Sequence, residues 1–199
     1  MSLVLGITGG IASGKSTFTQ LFLRAFPSQV FNADAVAREL LNTDLGVQEA
    51  IRNHFPESVV DGEIHREQLR QIVFADESKR RTLEGILHPP IREAWMRLAE
   101  LARASGSRLI VDIPLLFETG TEKYFDATVV VGCSQSTQIH RLKENRNIGV
   151  AMAQSIIAAQ WEIQRKIAKA DFVIWNESSI EHLESQGRML AGYLTRRHG

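Results

Sequence analysis

Eight residues near the amino terminus carry the densest chemistry in the chain: Gly9-Gly10-Ile11-Ala12-Ser13-Gly14-Lys15-Ser16 fits the template G-x-x-x-x-G-K-[ST]. Glycines let such a loop turn successive backbone N–H groups inward, and converging N–H groups make a seat for an anion. Lys15 adds a cation that can reach the β- and γ-phosphates of a nucleoside triphosphate. Ser16 adds a hydroxyl for Mg²⁺, and a helix starting at Lys15 aims its positive end at the same anion. Two carboxylates close short apolar runs. Asp34, at the end of Asn32-Ala33-Asp34, could orient and deprotonate an acceptor hydroxyl, or cap a helix starting at Ala35. Asp112, at the end of Leu109-Ile110-Val111, could hold Mg²⁺ through water, or cap the following turn. Arg38, one helical turn after Asp34, could bind an acceptor phosphate or pair with Asp34.

The elements that must position these groups follow from hydrophobic periodicity. Leu3 to Thr8 reads as a strand running into the glycine-rich loop, and Lys15 to Phe26 as an amphipathic helix stopped by Pro27. A brief strand at Val30 to Phe31 delivers Asn32-Ala33-Asp34, and Ala35 to Leu41 and Gly46 to Phe55 read as helices. From there to Ser107 the pattern is mostly helical, with a turn at Asp61-Gly62, no strong strand, and a sharp break expected at His88-Pro89-Pro90. Leu109 to Ile113, Ala127 to Val131 and Phe172 to Trp175 complete the strands, and a terminal helix begins near Ser179. Continuous apolar runs separated by helices are the mark of parallel strands covered on both faces. The expected architecture is therefore a five-stranded parallel α/β sheet, with ligands beyond the carboxyl ends of the strands. Residues 1–34 and 108–199 would form a nucleotide-binding core, 35–107 a helical acceptor-binding insertion, and 141–152 a lid.

Composition narrows the classes of function. The 23 basic and 23 acidic residues balance, so no global field draws the chain to nucleic acid or an anionic bilayer. No apolar stretch reaches the roughly 18 residues of a membrane span. The single Cys133, beside an apolar run, suits core packing and a reducing cytoplasm. Neither H-E-x-x-H nor C-x-x-C occurs, so zinc is not expected and Mg²⁺ should arrive with ATP. A GTP-dependent switch would need N-K-x-D, and a dinucleotide-dependent oxidoreductase G-x-G-x-x-G. Both are absent. A nucleoside monophosphate kinase or other small-metabolite kinase would share the loop and lid.

Several motifs together resemble a family. TGGIASGKS, NADAVAREL, LEGILHPPIR, VDIPLLFETG, QSIIAAQ and KADFVIWN occur in the order and spacing of bacterial dephospho-coenzyme A kinase, over about residues 3 to 178. The resemblance implies a P-loop kinase similar to nucleoside monophosphate kinases, phosphorylating the ribose 3′-hydroxyl of dephospho-CoA with ATP and Mg²⁺. It implies ATP-phosphate contacts at Ala12 through Thr17, including Ser13, Gly14, Lys15 and Ser16, with Asp34 as general base. His88, Pro114, Leu115, Phe117 and Glu118 would line the acceptor side, and Asn176 would lie at the adenine edge. Two departures stand out. Asn32 replaces the first acid of the family's D-A-D, and Asn145-Arg146 replaces its R-D pair in the lid, which leaves Arg146 and Arg141 both as candidates for the cation over the γ-phosphate.

Overall fold

A computed structural model of the chain describes residues 2–198. The chain divides into two compact units: residues 1–31 with 98–199, and residues 32–97. In the first unit β1 (Leu3–Gly9), β2 (Gln29–Asn32), β5 (Arg108–Asp112), β6 (Ala127–Gly132) and β7 (Phe172–Trp175) form a five-stranded sheet in the order β2-β5-β1-β6-β7. Strand β1 pairs in parallel with β5, Ile7 opposite Asp112, and with β6, Gly9 opposite Val131. Every residue of β1 and β6 is buried, as expected of central strands with no solvent face.

Helix α1 (Lys15–Ala25) follows the glycine-rich loop and presents Phe18 and Phe22 to the core. Phe18, Phe22 and Phe26, four residues apart, stack at ring-centroid distances of 5.4 and 5.2 Å. They pack with Leu5, Ile7 and Val129 of the sheet and with Leu183, Leu190 and Leu194 of the terminal helix α9 (Ile180–His198). An anchored α1 fixes where its first-turn N–H groups lie. Helices α6 (Gln135–Arg146), α7 (Val150–Ala158) and α8 (Ile163–Ile167) lie between β6 and β7.

The second unit is built from α2 (Ala33–Thr43), α3 (Leu45–His54), α4 (Arg66–Ala75) and most of α5 (Glu77–Ser105), around Val47, Ile51, Phe55, Leu69 and Val73. Two details correct the sequence reading. A two-residue hairpin, β3 (Val59–Val60) with β4 (Glu63–Ile64), surrounds the Asp61-Gly62 turn, whose φ values of 51° and 82° suit a primed turn. Helix α5 is not broken at His88-Pro89-Pro90 but runs through both prolines. Each proline removes one N–H from the helical ladder, yet Ile86 and Leu87 before them and Ile91 and Trp95 after them all find apolar packing, and that burial outweighs two lost hydrogen bonds.

Candidate active site

The loop between β1 and α1 adopts the geometry its sequence demands. Ala12 and Gly14 take φ of 56° and 87°, with Ser13 between them, so left-handed residues alternate and swing peptide N–H groups toward one side. Ser13 N–H closes the turn on the Gly10 carbonyl at 3.1 Å, and the Phe18 N–H reaches Gly14 O at 2.9 Å. At the first turn of α1 the N–H groups of Ser16 and Thr17 have no intrahelical acceptor, as at any helix start. Both residues are exposed. Lys15 is ion-paired with Asp112 at the carboxyl end of β5, and Asp112 is only 2 % exposed. The sequence option of Asp112 as a cap is therefore replaced by a charge pairing with the loop's own lysine.

Three loop carbonyls, those of Ile11, Ala12 and Ser13, each meet a side chain from elsewhere in the same unit. Gln138 Nε2 donates to Ile11 O at 2.7 Å, Arg141 to Ala12 O at 3.2 Å, and Asn176 Nδ2 to Ser13 O at 2.8 Å. Arg141 also donates to Asn176 O at 3.0 Å, and Gln160 Oε1 accepts the Ile11 N–H at 2.9 Å. Asn176 is held in turn by its N–H on Gly132 O at 2.7 Å.

After β5 the chain forms a run of turns over residues 114–120. The Pro114 carbonyl accepts from Thr8 Oγ1 at 2.9 Å and from Lys166 Nζ at 3.2 Å. Lys166 on α8 is fully buried and ion-paired with Glu118 at 2.8 Å, and Glu118 also accepts the Trp161 N–H at 3.0 Å. Phe117 is buried, whereas Pro114 and Leu115 are half-buried. Glu118 and Phe117 thus hold the shape of this segment from inside, while Pro114 and Leu115 keep surface to offer.

In the helical unit Asn32, not Asp34, caps α2: its Oδ1 accepts the Ala35 N–H at 2.8 Å. The helix starts at Ala33, two residues before the sequence expectation, because an amide at position 32 can satisfy a first-turn donor. Asp34 is therefore in the first turn and exposed, its side chain making no hydrogen bond among the described residues and no ion pair to Arg38, which is also exposed. Neither the cap nor the ion pair weighed from sequence occupies Asp34. His88 lies inside α5, half-buried, and burial lowers its pKa below the ordinary imidazole value, with Arg92 adding to the shift and Glu84 opposing it. It is neither a cap nor beside a helix break.

Comparison with known proteins now bears on this geometry. The family model for dephospho-CoA kinase matches residues 3–182. The chain belongs to that family. A dephospho-CoA kinase of Bacillus licheniformis is 38 % identical over 189 residues, covering 94 % of each chain. The crystal structure of TT1252 from Thermus thermophilus superposes with a TM-score of 0.79 at 32 % identity, covering 100 % of this chain and 99 % of that one. The shikimate kinase of Bacteroides thetaiotaomicron, at 13 % identity and TM-score 0.57, shares the fold over 98 % of this chain and 99 % of its own.

Within the family frame the two arginines left open by the sequence separate. Arg141 is spent on two backbone carbonyls, whereas Arg146, the last residue of α6, is exposed and its side chain makes no hydrogen bond or ion pair among the described residues. Asn147 ends α6 with φ 52°, a left-handed cap. Asn176 is buried under the loop, more than the turn amide weighed from sequence. Cys133 is 1 % exposed and burial pushes its thiol up to about 11, so it packs in the core as a neutral thiol. Gln138, Gln160 and Lys166 were missed. Gln160 closes the QSIIAAQ motif and Lys166 precedes KADFVIWN, so both carried a positional signal, while Gln138 on a polar helix carried none.

Among the described residues no cluster of three or more His, Cys, Asp or Glu could hold a metal ion. The donor set that is present, the exposed Ser16 hydroxyl and the Asp112 carboxylate, is hard oxygen, and two such ligands suit Mg²⁺, which keeps waters and takes its other ligands from phosphates. No helix of the described residues is long and apolar enough to cross a membrane.

Proposed function

We propose that this chain transfers the γ-phosphoryl group of ATP to the ribose 3′-hydroxyl of dephospho-CoA, giving CoA and ADP, the last step of coenzyme A biosynthesis in the cytoplasm. The family match across residues 3–182 carries the acceptor identity. In the reaction the bond from γ-phosphorus to the ADP oxygen breaks as the bond to the 3′-oxygen forms, and the hydroxyl proton goes to the Asp34 carboxylate. Loop N–H groups from Ala12 to Thr17 and the Lys15 ammonium hold the transferring end of the nucleotide. Phosphate oxygens compete with Asp112 for Lys15, which favours a loop already charged and shaped for the triphosphate. Ser16 and Asp112 are the residues that would hold Mg²⁺, whose chemistry is to neutralise charge on the β- and γ-oxygens.

Arg146, exposed in the 141–152 lid and without a side-chain partner among the described residues, is the cation we assign to cover the γ-phosphate. To Asn176 we assign the edge of the nucleotide base, and to Arg38, His88, Pro114 and Leu115 the binding of the acceptor. A coupled ADP-release assay across dephospho-CoA, AMP and adenosine tests the reading. Release that depends on dephospho-CoA supports it; faster turnover with AMP makes the chain a nucleoside monophosphate kinase instead.

A further inference from the structure

Three consecutive loop carbonyls, Ile11, Ala12 and Ser13, each accept one side-chain hydrogen bond, from Gln138, Arg141 and Asn176. A buried carbonyl needs a partner, and peptide planes that turn their N–H groups toward an anion must turn their carbonyls away from it. Gln138 and Asn176 are 5 % and 8 % exposed, with Ser13 buried and Ile11 and Ala12 half-buried, so solvent has limited access to these bonds. Gln138 and Arg141 lie three residues apart on α6 and therefore share a face.

A second observation is independent of the hydrogen bonds. A Cβ at Gly10 would lie 2.5 Å from Gln138 Nε2, and a Cβ at Gly14 would overlap Asn176 Nδ2. Gly10 is not a fixed position of the phosphate-binding template and does not take a positive φ. Its smallness serves the amide that passes over it.

We infer that Gln138 and Arg141 of α6, with Asn176, form a carbonyl clamp that sets the orientation of the phosphate loop, and that Gln138 and Arg141 are positioning residues for nucleotide binding. The inference rests on the nucleotide-binding role proposed above. Arg141 then acts behind the loop, and not on the transferring phosphoryl group. Because α6 ends at Arg146, the helix that carries the lid cation is also the helix that grips the loop.

The clamp predicts a specific binding defect. Gln138→Met keeps the side chain's length and removes its donor, leaving the half-buried Ile11 carbonyl without its side-chain partner. ADP affinity, measured by calorimetry well below the melting transition of each variant, should weaken roughly tenfold while dephospho-CoA affinity stays within about twofold of wild type. Arg141→Lys, which retains one donor, should lose less than Arg141→Met. Gly10→Ala should weaken ADP by displacing Gln138, and Gly10→Ala combined with Gln138→Ala should be no worse than Gln138→Ala alone. The Gly10 variants approach the same contact from the loop side, so the cycle remains readable if one α6 variant folds poorly. Wild-type protein that binds no nucleotide would remove the functional reading and the clamp with it. Wild-type binding with ADP affinity unmoved in Gln138→Met, or with fully additive losses in the double variant, would overturn the clamp alone.

Discussion

The two units hold their functional groups in opposite ways. In the core unit the long polar side chains around the phosphate loop are committed, Lys15 to Asp112, Arg141 to two carbonyls, Gln138, Gln160 and Asn176 to loop backbone, and Lys166 to Glu118, while the Ser13 hydroxyl is buried without a partner among the described residues. In the helical unit Asp34 and Arg38 are exposed, and no ion pair joins them. Under the proposed function the difference means that seating a triphosphate rests on preorganised backbone, whereas activating the acceptor hydroxyl rests on a carboxylate whose lone pairs are free for the incoming proton. Stability and turnover should therefore respond to different residues.

Lys15→Ala is the largest expected loss. It removes the cation proposed for the β- and γ-phosphates and also takes from the buried Asp112 its ion-pair partner, so turnover should fall by about 10³-fold or more, read by steady-state ADP release. Asp34→Asn sharpens the contrast. Turnover should drop by about 10²- to 10⁴-fold, with ATP affinity and melting temperature nearly unchanged, because the carboxylate is exposed and has no partner among the described residues. A large fall in melting temperature would show Asp34 to be structural and would break the comparison.

Lys166→Met tests the other side. Removing one member of a buried pair leaves Glu118 an uncompensated charge, at a cost of about 3–5 kcal/mol in denaturant-derived stability, while the Asp34 variant should show no such loss. Asn32→Asp is the smallest change. Asp also caps, and its charge near a helix N-terminus should add roughly 0.3–1 kcal/mol, whereas Asn32→Ala should cost about 1 kcal/mol. His88 adds a pH dependence to the helical unit. Its folded pKa is lowered by burial, so between its ordinary value and the folded one the unfolded chain binds more protons. Stability is full above about pH 6.5 and falls as the pH drops below it. Replacing His88 by Gln should flatten that slope in urea titrations across pH 5 to 8.

The sheet was legible because each strand is a short apolar run, and β7 fell at Phe172–Trp175 as the sequence indicated. The phosphate loop was legible because its chemistry is local, eight residues that function as neighbours. What escaped depends on distant partners. Gln138 carries no local signature, since its role exists only when α6 lies behind Ile11 and Gly10. Lys166 reads as an ordinary helix cation until Glu118 arrives from 48 positions earlier in sequence. The prolines misled because local rules price a missing N–H and cannot see the packing on either side of it. At α2 the substitution of Asn32 for an acid was visible, but its consequence, a cap that frees Asp34 from capping, needed the helix start to be placed.

The most direct measurement of the central claim follows the phosphoryl group itself. Dephospho-CoA and ATP carrying oxygen-18 on the γ-phosphoryl group are mixed with excess enzyme, quenched within one turnover, and the product is mapped by phosphorus NMR. Labelled phosphate on the ribose 3′-oxygen in wild type, formed at least 10²-fold more slowly by Asp34→Asn at saturating ATP, is the predicted result. Label appearing only as inorganic phosphate, or an Asp34→Asn rate equal to wild type, would contradict the account.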